Sequence, residues 1–218
     1  MLPQGHGLQK RGQTARVFFF SAVLIVAGCA ANPPKGELSL HPAPQRQATH
    51  QVVGEAIVAS LAGASVIVRW LTPVEVEQYF ENKPGLVYPW PKEVRKVAPL
   101  TVFLLRVRNQ TSGEGQFDPT LVFLISQDGR RMRPVSYEEL YEQLEGTEDS
   151  GARLRSLQAT LLSRFLVISP GGQREGLLAF PTLGPEDKHL LLEFGSFFVG
   201  GRNVLGLFEF QVLRQKTD

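Results

Sequence analysis

Residues 101–135, TVFLLRVRNQTSGEGQFDPTLVFLISQDGRRMRPV, carry the strand signal that decides the fold. Over Thr101–Asn109, Phe103, Leu105 and Val107 fall on one side of a period-two pattern, and Arg106 and Arg108 on the other. Successive side chains of a strand point to opposite faces, so this is the pattern of a strand with a core face. After a polar loop at Thr111–Gly115, Phe117–Gln127 reads as a second strand with Leu121, Phe123 and Ile125 in phase. Asp128-Gly129 is a strong two-residue hairpin signal, and it returns the chain into Arg130–Val135.

The same texture extends outward. Val52–Ser60 and Ser65–Leu71 are β-rich runs around Leu61-Ala62-Gly63-Ala64, the pattern of a hairpin. Thr72-Pro73-Val74-Glu75 then carries a helix start, with Thr as N-cap, Pro at the first helical position and Glu three residues after the cap. That helix is predicted to reach Phe80 and to bury Val76, Tyr79 and Phe80 before Lys83-Pro84-Gly85 ends it. Tyr137, Leu140, Tyr141 and Leu144 repeat at helical spacing, as do Leu154, Leu157, Leu161 and Phe165 after the break at Gly146–Gly151. Strands resume at Phe165–Ile168, Glu175–Phe180, His189–Phe194 and Asn203–Leu213, the last alternating Phe208, Phe210 and Val212 with Glu209 and Gln211.

Many strands separated by turn signals, with no repeat of 20–50 residues, imply a mainly β fold. The FLLRVRNQT strand end, the VFLISQDGRRMRP hairpin and SPGGQREGLLAFP resemble immunoglobulin-like domains of exported bacterial proteins. The resemblance is one of strand texture over about half of the part that follows the leader. It implies an immunoglobulin-like antiparallel β-sandwich over residues 51–218, with helical insertions near 72–80 and 137–163.

The N-terminus has a different character. Lys10, Arg11 and Arg16 precede an apolar run from Val17 to Val26, and residues 1–28 hold no Asp or Glu. This is the layout of a secretory signal, and the run is shorter than the ~20 apolar residues of a membrane span. Val26-Ala27-Gly28-Cys29 closes it and resembles the lipobox of bacterial lipoproteins. The resemblance implies cleavage before Cys29, a diacylglycerol thioether on its sulfur and a further acyl chain on its amine. Two or three chains hold a protein on a bilayer where one would not. Ala30 at the second position resembles the class sorted to the outer membrane, which implies an anchor there facing the periplasm.

Residues 29–50 follow as the lipidated cysteine and a flexible tether, rich in Pro and polar residues and expected to be partly extended. Its reach would be ~60 Å at ~3 Å per residue. His41 and His50 read as solvated tether residues. Loss of residues 1–28 removes three basic residues and takes the formal charge from +2 to −1, which speaks against a nucleic-acid partner. Cys29 is the single cysteine, so no disulfide can form within the chain.

Little in the remainder reads as chemistry. His189 is the lone histidine after residue 50, and no G-x-S-x-G, H-E-x-x-H or cysteine pair occurs, so neither cofactor nor metal is expected. Carboxylates able to form an acid/base pair are Glu75 with Glu77, and the group Glu138, Glu139, Glu142, Glu145, Glu148 and Asp149. Both sets also fit helix starts and solvated helix faces. Two features are candidate binding elements. Tyr88 and Trp90 sit in the Pro-stiffened stretch Leu86–Pro91, able to stack on a sugar, to anchor a protein, or to fold back and plug the sandwich. Arg130, Arg131 and Arg133 offer contacts to anionic groups, or protect an edge strand from aggregation. Asn109-Gln110-Thr111 matches a glycosylation acceptor but reads as a turn at a strand end. The expectation is a non-catalytic lipoprotein of the cell envelope that binds or braces another envelope protein. The alternative is glycan binding or weak glycan processing through Tyr88–Trp90.

Overall fold

The computed structural model describes residues 37–97 and 99–215, which leaves Cys29 and the leader outside the described part. The described residues begin with β1 (Glu37–Pro42), β2 (His50–Val53), β3 (Ala56–Leu61) and β4 (Ala64–Leu71). Helices α1 (Pro73–Glu81) and α2 (Lys92–Val97) lead into β5 (Leu100–Asn109). Next come β6 (Gly115–Phe117), a 3₁₀ turn at Pro119–Leu121, β7 (Val122–Ser126) and β8 (Arg131–Met132). Helices α3 (Tyr137–Leu144) and α4 (Ser150–Thr160) precede β9 (Leu166–Ile168), β10 (Gln173–Pro181), β11 (His189–Val199) and β12 (Arg202–Gln215).

The strands form two antiparallel sheets, as the alternation implies. One has the order β10-β5-β4-β3-β2. The other runs β1-β12-β11-β6-β9, with β7 also on β11 and β8 on β7. The residues that alternate into the space between the sheets meet there: Phe103, Leu105 and Val107 from β5 face Phe194 from β11 and Phe208 and Phe210 from β12. The ring centroids of Phe103 and Phe210 lie 5.1 Å apart edge to face, and those of Phe194 and Phe208 lie 4.8 Å apart with the rings tilted.

The outer face of the five-stranded sheet is covered as well. Val102, Leu177 and Ala179 pack there against Val76 and Phe80 of α1, Leu140 and Leu144 of α3, and Leu157 of α4. Burial on both faces accounts for the unbroken apolar runs Val102–Leu105 and Leu177–Phe180, where strict alternation stops. The helices thus form a third layer on the sandwich. α1 and α3 both begin with a capping box, Thr72 with Glu75 and Ser136 with Glu139, each satisfying donors that a helix start leaves open.

Three sequence expectations are corrected. The first is the tether to residue 50. β1 pairs with β12 from Glu37↔Gln215 to Pro42↔Phe210, Leu40 is buried, and Gln45 and Gln47 bond the backbone of β12 through Leu205, Leu207 and Glu209. The cause is the long β12, whose free edge accepts any strand whose amides are available; Leu38 and Leu40 add the apolar alternation. The expected tether is thus confined to residues before Glu37. The histidines change roles too: His41 contacts Glu55 at 3.2 Å, and His50 is 6% exposed against the Phe208 ring.

The second correction is the phase of residues 117–127. Asp118 caps the 3₁₀ turn and Pro119 begins it, so the strand breaks in two. The pleat restarts at Val122, which buries Val122, Leu124 and Ser126 and leaves Leu121 43% exposed. A bulge in β11 between Phe194 and Phe197 follows the same break. Gly195 sits there because a Cβ would come within 2.7 Å of the Leu121 carbonyl. The third concerns the helix faces: Tyr141 and Phe165, expected on buried stripes, are 41% and 57% exposed. Phe165 lies beyond the end of α4. Leu157 and Leu161 are buried as the spacing implies.

Candidate functional site: a cavity at the seam of the two cores

β4 ends, β5 begins and β10 ends at one end of the sandwich, where β1 also begins. Between these strand ends and the helical layer lies a cavity of about 510 Å³. This falls in the ~300–1,000 Å³ range of small-molecule sites. Its floor is apolar and buried: Trp70 and Leu71 from β4, Val76 from α1, Trp90, Val102 from β5, and Leu183 after β10. Its rim carries Lys92, Arg95 and Lys96 around α2, with Arg214 from β12. Among the described residues, no acidic side chain lines it.

Local chemistry explains how these residues are held. Thr72 Oγ1 accepts from the Glu75 amide at 3.2 Å, and Glu75 returns the contact to the Thr72 amide at 2.9 Å. This fixes the entry of α1 and turns Val76 and Phe80 onto the sheet. After α1, the 82–91 stretch is clamped by α4: the Val87 amide donates to Ser156 Oγ at 2.8 Å, and Arg153 donates to the Tyr88 carbonyl at 2.7 Å. Tyr88, Trp90 and Phe80 then meet edge to face, with centroids 5.8–6.0 Å apart. Arg95 lies over the Tyr88 ring at 5.2 Å and pairs with Glu77 at 2.7 Å. Burial pushes the Tyr88 phenol up, with the charge of Arg95 pulling the other way.

Of the readings open for Tyr88 and Trp90, the loop adopts the plug. Trp90 is 3% exposed, so its ring presents no face on which a sugar can stack, and its Nε1 is buried without an acceptor. Tyr88 is half-buried. The arginines lie elsewhere. Arg130 pairs with the buried Asp187 at 2.7 Å, and Arg131 pairs with Glu193 at 2.6 Å while covering the Phe123 ring. Arg133 is exposed and lines a separate cleft with Glu139 and Leu162. None of the three lines the cavity that Tyr88 and Trp90 line. Sequence reasoning missed Lys92, Lys96 and Arg214, which have no motif; they converge through the β1–β12 pairing and the placement of α2.

Of the candidate carboxylates, Glu75, Glu77 and Glu139 have structural partners. Glu75 caps α1 and pairs with Arg69 at 3.0 Å, and Glu77 holds Arg95. Glu138, Glu142, Glu145, Glu148 and Asp149 are exposed, and Glu139 closes the α3 cap. Glu75 shares a second cleft, on the outer sheet face, with Glu175. Partial burial opposes the charge of Glu175, but hydrogen bonds and charges from Arg106 and Lys83 outweigh it and hold the carboxyl below its ordinary value. Burial and the neighbouring Glu175 push the Tyr79 phenol there up to about 12. The Asn109 side chain spans Gly113 and Ile168 carbonyls at 2.7 and 2.9 Å, which fixes the turn after β5. Among the described residues, no group of three His, Cys, Asp or Glu side chains is placed to hold a metal ion. No helix among them is long and apolar enough to cross a membrane.

No family model matches the chain, and no curated protein matches it in sequence. Among solved structures it is similar to the crystal structure of the yjhA protein from Bacillus subtilis, at 11% identity and a TM-score of 0.36, over 71% of this chain and 95% of that one.

Proposed function

We propose that this chain is a lipoprotein of the bacterial cell envelope, anchored through Cys29, whose sandwich serves as a non-catalytic binding or adaptor module. The observation that carries the binding role is the seam cavity, with its buried apolar floor and cationic rim. Such a site is equipped to hold an occupant by burial and charge. The anchoring role rests on the apolar leader ending in Val26-Ala27-Gly28-Cys29. The outer membrane, facing the periplasm, is the location that Ala30 favours. With β1 starting at Glu37, the module would work close to the bilayer, and an envelope protein is the partner class that such an anchor serves.

Metabolic labelling with an alkyne fatty acid in the bacterial host tests the anchor. The wild-type chain is expected to take up label and to fractionate with membranes, and Cys29→Ala to lose both. A Cys29→Ala chain labelled as strongly as wild type would overturn the assignment. Photo-crosslinking from position 96 at the cavity rim tests the binding role, with a defined adduct expected in place of free monomer.

A further inference from the structure

From the chemistry of the cavity we infer that its occupant is a single-chain amphiphile: one long acyl or alkyl tail ended by an anionic head. The inference rests on the binding role proposed above and names its ligand class. An apolar floor takes a hydrocarbon, since burial of apolar surface is favourable and non-directional. The rim decides the head. Four cationic side chains surround the opening, and among the described residues no carboxylate lines it. Arg95 is offset by Glu77. Arg214 is held by the backbone carbonyls of Gly184 and Pro185, which orient its guanidinium without cancelling its charge. Lys92 and Lys96 are exposed, and neither has an ion-pair partner among the described residues. A neutral lipid or a sugar would leave this field uncompensated, whereas a carboxylate or phosphate monoester complements it.

Trp90 belongs to the buried floor, and its Nε1 donor has no acceptor among the described residues. Anchoring through Cys29, as proposed above, would also keep the site near a source of such molecules. Leu38, at the start of β1, lines the cavity and lies nine residues after Cys29, so the chain allows at most ~30 Å between them at ~3.4 Å per residue.

The chain contains two tryptophans, Trp70 and Trp90, and both line the cavity, so intrinsic fluorescence reads occupancy directly. The described residues all fall within one compact unit, which makes residues 29–218 bearing Cys29→Ala a suitable detergent-free sample. It would be titrated below micellar concentration with hexadecanoate, hexadecyl phosphate, hexadecanol, acetate and inorganic phosphate. Saturable emission changes are expected with hexadecanoate or hexadecyl phosphate, and the stronger of the two identifies the head. Hexadecanol should bind at least tenfold more weakly, and acetate and phosphate should leave emission unchanged. The double variant Lys92→Glu/Lys96→Glu, at exposed positions, should weaken the anionic probes at least tenfold and leave hexadecanol binding unchanged. Added salt should weaken the anionic probes selectively. The inference is overturned if neither anionic amphiphile changes emission, if hexadecanol binds as tightly as they do, or if charge reversal leaves their affinity intact. Those results, together with a retained crosslink from position 96, would reject the ligand class while leaving the binding role standing.

Discussion

The five-stranded sheet is buried on both faces, but one face meets a second sheet and the other meets helices. Between the sheets, side chains of matched strands interdigitate, and phenylalanines from β5, β11 and β12 touch ring to ring. On the outer face, rounded helices lie on a pleated surface, and α2, six residues long, covers its margin incompletely. Sheet-on-sheet packing suits stability because it fills space evenly. The helical face leaves room at its edge, and that room is the cavity.

Deleting a filled position should have the largest effect. Phe194 is fully buried between Phe117 and Phe208, so Phe194→Ala is expected to cost about 3–5 kcal/mol in urea unfolding. A loss below 1 kcal/mol would show that the inter-sheet core is looser than its contacts imply. Enlarging a side chain separates the two faces more sharply. Leu192→Phe, inside the inter-sheet core, should cost about 1–3 kcal/mol, whereas Val76→Phe has the cavity to enter and should cost less than about 1 kcal/mol. Equal costs at the two sites would break the contrast. On the helical side, Thr72→Ala removes the hydroxyl that caps α1, and thermal melts should register a loss of about 1 kcal/mol.

The smallest effect lies at the margin of the inter-sheet core. Burial holds the His50 imidazole below its ordinary value of 6.5, so the folded state keeps it neutral where the unfolded chain would protonate it. Its contribution is therefore complete above pH 6.5 and declines as pH falls from there toward the lowered folded value. The stability difference between wild type and His50→Gln should shift in favour of the variant over that interval. A pH-independent difference would mean that the ring is solvated.

Particular residues show how far local reading reaches. Phe103, Leu105 and Val107 face the core as their alternation implies, and so do Phe208, Phe210 and Val212, because those strands run unbroken. The α1 cap is equally legible, since its partners are three residues apart. Leu121, Phe123 and Ile125 show the opposite case. A single 3₁₀ turn shifts the pleat, and nothing in the apolar pattern after it records the shift. The candidate site was legible in part: Trp90 was visible as a buried plug or an exposed contact, but Lys92, Lys96 and Arg214 are ordinary surface cations until the fold gathers them.

The sequence by itself determined the mainly β class, the faces of continuous strands and the helix starts, since each depends on residues a few positions apart. Tertiary structure alone decided three things: that residues 37–50 join the sandwich, that helices seal one sheet face, and that a cavity opens where the two cores meet. Strand pairing runs through backbone groups that every residue carries, so an edge such as that of β12 selects its partner by geometry and availability. A cavity is likewise a property of surfaces that fail to fill space together, and no single segment encodes that failure.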